Sequence, residues 1–192
     1  VTQGGGDPDG AREHAGRPLL MLDVDGPLNP FAARWPRRPR EYRTHRLLPP
    51  GHAARRRAAG RRVEPLRVRL NATHGERLLR LGYDLVWATT WAAEANDCIA
   101  PLIGLGRLPV VAWPEEIVPE LDGLLFKTRH VVAWAAGRPF AWVDDAVTDK
   151  ERRFVAAHHA GPALVHHVDP RRGLRDEDFA TLARWAREHT PA

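Results

Sequence analysis

The sequence predicts an α/β protein: a three-layer Rossmann-like fold on a parallel five-stranded sheet, with an Arg-rich β-hairpin or flap inserted after the first strand. Short apolar runs alternate with longer amphipathic stretches, as they do when parallel strands are covered by helices. Three of those runs end in acidic or hydroxyl residues, and in an open parallel sheet the carboxyl ends of the strands are where ligands bind. Thirteen arginines against two acids, Glu41 and Glu64, lie between Phe31 and Arg69, which sets that stretch apart from a remainder of net charge −6.

Length and composition bound the rest. A chain of 192 residues and 21.5 kDa suits one domain with its own core. Residues 1–17 read as a flexible lead-in and 18–190 as the single domain, with the basic insert at about 31–71. No apolar run approaches the ~20 residues of a bilayer span, and the first eighteen residues lack the apolar core of a secretory signal. The expected setting is the cytoplasm, with no membrane partner. Cys98 is the only cysteine, which excludes an internal disulfide and every multi-cysteine metal centre. Any metal here sits on oxygen or imidazole.

The first strand runs from Pro18 to Leu22 and stops at Asp23-Val24-Asp25-Gly26, followed by the helix-hostile Pro27-Leu28-Asn29-Pro30. Glu41 to Leu47 and Leu66 to Asn71 pair as the hairpin, the second alternating Leu66, Val68, Leu70 with Arg67, Arg69, Asn71. Between them, Pro49 to Arg62 reads either as the loop or, over His52 to Arg62, as a short basic helix. Ala72 to Leu81 is a helix with Gly82 as its stop. Asp84 to Ala88 is a buried strand ending in Thr89-Thr90-Trp91, and Glu94 to Ile103 returns to helical spacing. Leu108 to Trp113 is the third strand, Thr128 to Ala136 a helix, and Phe140 to Val143 a strand running into Asp144-Asp145. Ala163 to Val168 completes the sheet. The last helix, Asp176 to Glu188, sets Phe179, Leu182, Ala183 and Ala186 on one face.

Singly, the strand-end residues have ordinary uses: Asp25-Gly26 as a turn, Thr89 or Thr90 as a cap, Lys127 as a solvated charge, Asp144-Asp145 as a cap. Their conjunction says more. Side chains alternate along a strand, so Asp23 and Asp25 project to the same side, and Asp144 and Asp145 would bring up to four carboxylates together. Such a cluster is unfavourable without a cation. All-oxygen ligands suit Mg2+, and a hydroxyl and an ammonium beside the metal are what a transferable phosphoryl group needs.

Asp-Val-Asp-Gly, a strand-terminal Thr, Lys and then a paired Asp resembles the four ordered motifs of the haloacid dehalogenase-like (HAD) superfamily, in a small or capless form. The order differs from that of a response-regulator receiver, where the acidic pair comes first and Lys last. The resemblance spans about Leu19 to Asp149, with Leu22 to Pro30 and Trp142 to Asp145 as its most specific pieces. It implies a Mg2+-dependent phosphomonoester hydrolase acting through an aspartyl-phosphate. Asp23 is then the nucleophile and Asp25 the acid and base. The metal sits on Asp23, the Asp25 carbonyl and the Asp144/Asp145 pair, with Asp145 favoured for direct contact and Asp144 for Lys127 or a water. Thr89, or Thr90 in its place, donates to a phosphoryl oxygen, and Lys127 offsets charge on Asp23 and the phosphoryl group. Asp149 is a more distal acid that the metal's surroundings could include.

The gaps between motifs are too modest for a large cap, so the expected site is open, with the Arg-rich hairpin as a partial lid. Arg34 and Arg37 are candidate contacts for an anionic substrate, and Trp35 among them is a candidate for stacking on a base. A coding preference for arginine, 27 of the 29 basic residues, competes with that reading. His158-His159 and His166-His167 are discounted as ligands because adjacent strand residues face opposite ways. The leading reading is a phosphatase. The alternatives are a nucleic-acid-binding module using the basic insert, and an enzyme combining both that acts on nucleotides or polynucleotide ends.

Overall fold

The computed structural model describes residues 16–34, 40–114 and 122–190. Most of the expected lead-in, together with Trp35 and Arg37, lies outside the described residues. The main sheet is fully parallel, in the order β4-β1-β5-β6, from β1 (Leu19–Leu22), β4 (Asp84–Trp87), β5 (Phe140–Asp144) and β6 (Ala163–His167). Leu19, Leu20, Met21 and Leu22 of the central β1 are all essentially inaccessible. That is why this strand reads as an unbroken apolar run.

The sheet has one strand fewer than the sequence predicts. Leu108 to Trp113 meets β4 at a single bridge, Val110 opposite Trp87, flanked by hydrogen bonds from Trp87 N–H to the Pro109 carbonyl and from Val111 N–H to the Trp87 carbonyl, each 2.8 Å. One step earlier Pro109 has no N–H to donate, and one step later the Thr89 carbonyl accepts from Trp113 Nε1 at 2.7 Å instead, so the ladder does not extend.

Two apolar layers cover the sheet. On one side Leu20, Leu22 and Trp87 pack with α2 (His74–Leu79), α3 (Glu94–Cys98), α4 (Ala100–Ile103) and α7 (Asp176–His189) through Leu78, Ile99, Ile103 and Leu182. On the other, Leu19, Met21, Val86 and Trp142 pack with α5 (Lys127–Ala135) and α6 (Asp149–His158) through Val131, Ala135 and Val155. The helix expected over Glu94 to Ile103 is broken in two at Ile99, because Pro101 has no amide to continue the ladder. Helix α6 was not legible from periodicity. Its signal is local: a capping box in which the Thr148 side chain accepts from Lys150 N–H while Glu151 accepts from Thr148 N–H.

After β1 the chain leaves the sheet to form an antiparallel hairpin of β2 (Arg43–Leu47) and β3 (Leu66–Leu70), with the basic helix α1 (Pro50–Ala58) between them. Val68 and Leu70 are buried in the main core. The insert is therefore an anchored wall rather than a loose flap. Among the described residues no helix is long and apolar enough to cross a membrane.

Candidate active site

At the carboxyl end of β1, Asp23 is 5% exposed, and its two oxygens are both engaged. Oδ1 accepts from the Val24 N–H at 2.7 Å and Oδ2 from Lys127 Nζ at 2.6 Å. Lys127, the first residue of α5, also donates to Asp144 Oδ2 at 2.8 Å, and Asp144 Oδ1 accepts from the Ala146 N–H at 2.8 Å. One buried ammonium thus joins the ends of two adjacent parallel strands. Its own placement comes from α6: Glu151 Oε1 accepts from the Leu125 N–H at 3.0 Å, two residues before the lysine.

Asp145 completes the cluster. Asp23, Asp144 and Asp145 each offer an oxygen, and these atoms all lie within 4.8 Å of one another. Gly26 makes that approach feasible. Its φ is +91°, and a Cβ there would stand 2.4 Å from Asp145 Cβ.

Burial pushes the Asp23 carboxyl up to about 7 against the pull of Lys127, with Asp144 adding to the rise, and the Thr89 hydroxyl lowers it slightly. Asp145 is raised to about 6, again by burial first and by Asp144 second. Lys127 pays a desolvation penalty but is held above its usual value by the two carboxylates. Three carboxylates around one ammonium leave excess negative charge, and every donor is oxygen. That donor set fits a hard divalent cation.

The fourth expected carboxylate does not join the cluster. Asp25 Oδ1 accepts from Asn29 Nδ2 at 2.7 Å and Oδ2 from Trp91 Nε1 at 3.0 Å, which turn the group towards the hairpin side. Asn29 is fixed in turn: its N–H donates to the Val24 carbonyl at 2.8 Å, and its Oδ1 accepts from the Arg69 N–H at 2.9 Å. Neither Asn29 nor Trp91 stands out in the sequence as a site residue. The signal for Asn29 was its place four residues after Asp25 in a Pro-rich turn. Trp91 has no such signal, because only the fold brings it to Asp25.

The two threonines separate. Thr89 is fully buried beside Asp23, and Thr90 is exposed and lines a cavity of about 210 Å³ together with Asp25, Trp91, His52, Arg55 and Arg67. Arg34 is exposed and lines no described cavity, and Arg37 lies outside the described residues. Asp149 forms an exposed ion pair with Arg152 at 2.8 Å and is not among the acids whose oxygens lie within 4.8 Å of one another. The histidine pairs are used locally, with His166 Nε2 2.7 Å from Asp178 Oδ1 and His159 Nε2 3.0 Å from the Arg138 carbonyl. A larger cavity, about 610 Å³, opens by Tyr42 and His74, is lined by none of Asp23, Asp25, Asp144 or Asp145, and has its Arg77 and Arg175 already paired with Asp176 and Glu177.

A family model described as the HAD domain in Swiss Army Knife RNA repair proteins matches residues 19–179. No curated protein and no solved structure matches the chain.

Proposed function

The chain belongs to the family of HAD domains in Swiss Army Knife RNA repair proteins, and from that premise we propose that it is a phosphatase of nucleic-acid ends, RNA ends foremost. The observation that carries this reading is the lysine bridge: Lys127 joins Asp23 to Asp144, with Asp145 beside them at the carboxyl edge of the sheet.

Asp23 attacks the phosphorus of a terminal phosphomonoester, forming a P–O bond as the bond to the leaving oxygen breaks. Asp25 gives its proton to that oxygen, then takes one from the water that hydrolyses the aspartyl-phosphate and frees inorganic phosphate. Asn29 and Trp91 hold Asp25 in the orientation these transfers need. Lys127 and the Thr89 hydroxyl face the negative charge that builds on the phosphoryl oxygens. Asp23 and Asp145, with the Asp25 carbonyl, would hold Mg2+, while Asp144 is committed to the lysine. The metal would supply charge neutralisation at the phosphoryl group and at the buried carboxylates.

The test is release of phosphate from an aryl phosphate and from an end-phosphorylated oligoribonucleotide, with Mg2+ or with chelator, by the wild type and Asp23→Asn. Turnover is expected with Mg2+ and is expected to fall at least ~1,000-fold with chelator or with the variant, since both remove a group required at the reacting centre. Hydrolysis that persists through both changes rules the reading out.

A further inference from the structure

The hairpin holds a pairing that is unfavourable for the protein alone. In the β2–β3 register Arg46 stands opposite Arg67. The Arg69 N–H leaves the ladder for Asn29 Oδ1. Thr44–Arg69 and, by alternation, Arg46–Arg67 are therefore the pairs without hydrogen bonds between them, in which facing side chains come closest. Like charges so placed destabilise a sheet. Both arginines are exposed, and among the described residues neither meets an acid.

Some surface arginines are matched, Arg77 with Asp176, Arg107 with Asp97 and Arg152 with Asp149, and others such as Arg153, Arg184 and Arg187 meet no acid among the described residues, but Arg46 and Arg67 also face each other across a strand pair. One member of the pair, Arg67, also lies beside the chemistry, and Arg46 faces it from the neighbouring strand. Arg67 lines the cavity that contains Asp25, and so do the exposed Arg55 of α1 and Glu94 of α3, whose carboxylate lies near Arg55 without forming an ion pair among the described residues. Helix α1 is tied to α3 by the Gly51 N–H donating to Glu94 Oε1 at 2.6 Å, so this wall of the cavity is fixed.

We propose that Arg46, Arg67 and Arg55 form a second anion site, one that binds a phosphodiester of the leaving group and selects polynucleotide ends over mononucleotides and small phosphates. The inference rests on the phosphatase reading of the Asp23 site. An anionic oxygen pair between two guanidinium groups replaces their repulsion with two attractions, and the planar fork of arginine suits phosphate. Asp25 is the group that meets the leaving oxygen, so a site in its cavity lies on the leaving-group side.

The experiment compares kcat/KM for an end-phosphorylated oligonucleotide with that for the matching mononucleotide, in the wild type and in Arg46→Gln/Arg67→Gln, across a salt series. The oligonucleotide-to-mononucleotide ratio is expected to fall at least tenfold, and the salt slope to become shallower by about 0.7 for each lost phosphate contact. The variant is expected to melt at the same or a higher temperature, since the repulsion is gone, and Arg46→Lys/Arg67→Lys to recover part of the ratio. An unchanged ratio in the folded variant overturns the site. Fluorescence anisotropy with a labelled oligonucleotide in an Asp23→Asn background reads binding without turnover. If the wild type hydrolyses no phosphate while binding still weakens on the Gln substitutions, the phosphatase reading fails and the anion site stands. If hydrolysis proceeds while neither ratio nor binding moves, the anion site fails alone.

Discussion

Replacing Lys127 with Met tests the centre of the site directly. Methionine fills a similar volume in a position that is 4% exposed, but it leaves Asp23 and Asp144 facing each other without the ammonium that now bonds both at 2.6 and 2.8 Å. Removing one partner of a buried ion pair costs about 3–5 kcal/mol, because the remaining charge is left uncompensated. At about 2–4 °C per kcal/mol for a chain of this size, the chelated variant should melt roughly 6–20 °C below the wild type. Adding Mg2+ should then recover more in the variant than in the wild type, since the cluster has one more unneutralised negative charge. At a hundred times its dissociation constant a bound ion contributes about 2.7 kcal/mol. Calorimetric melts with chelator and with a Mg2+ titration measure both effects. A variant melting within about 2 °C of the wild type, or equal Mg2+ shifts in the two proteins, would refute the reasoning, because the lysine would then not be the cluster's counter-charge.

Gly26→Ala places a Cβ 2.4 Å from Asp145 Cβ at a φ of +91°, so Asp145 must be displaced. Mg2+ affinity by titration calorimetry should weaken by about tenfold or more while the far-ultraviolet spectrum is kept, given the cost of losing one first ligand; unaltered affinity would remove Asp145 from the metal site. The stabilisation by Mg2+ should also depend on pH. Asp23 at about 7 and Asp145 at about 6 are raised in the folded protein, so the native state binds protons more tightly than the unfolded chain, and the metal-free protein loses this stability as pH rises from about 4 towards 7. His74, lowered by burial to about 4, acts in the opposite direction below pH 6.5. The readout is therefore the difference in melting temperature with and without Mg2+, in which His74 cancels. That difference should grow from pH 4.5 to 7.5, and a constant difference would contradict the assignment.

The chain's own order of residues was enough to determine the class of fold and to single out Asp23, Lys127, Asp144 and Asp145, which the fold brings together. β1 and β5 are buried on both faces, so their apolar runs stand out without any knowledge of neighbours, and the polar residues that end them mark the rim where parallel strands open. Helix α7 was equally legible, because its buried positions Phe179, Leu182 and Ala186 repeat at helical spacing. Less was readable where single residues, not a repeating pattern, decide the structure. Val110 pairs only once, beside Pro109 and with the Thr89 carbonyl taken by the Trp113 indole, and α6 begins at a cap rather than at an apolar stripe.

Residue identity alone could not tell the surroundings of neighbouring polar groups apart; tertiary structure did. Thr89 and Thr90 are chemically alike, yet one is buried beside Asp23 and the other opens onto the cavity. Asp144 and Asp145 differ by one strand position, which turns the first to Lys127 and the second against Gly26. Asp25 was expected among the other acids but is held by Asn29 from its own turn and by Trp91 from 66 residues away. The physical reason is one of range. Apolar periodicity and strand-end polarity are properties of a few consecutive residues, whereas a hydrogen-bond partner across the sheet is chosen only when the core closes and brings distant backbones within 3 Å or so of each other.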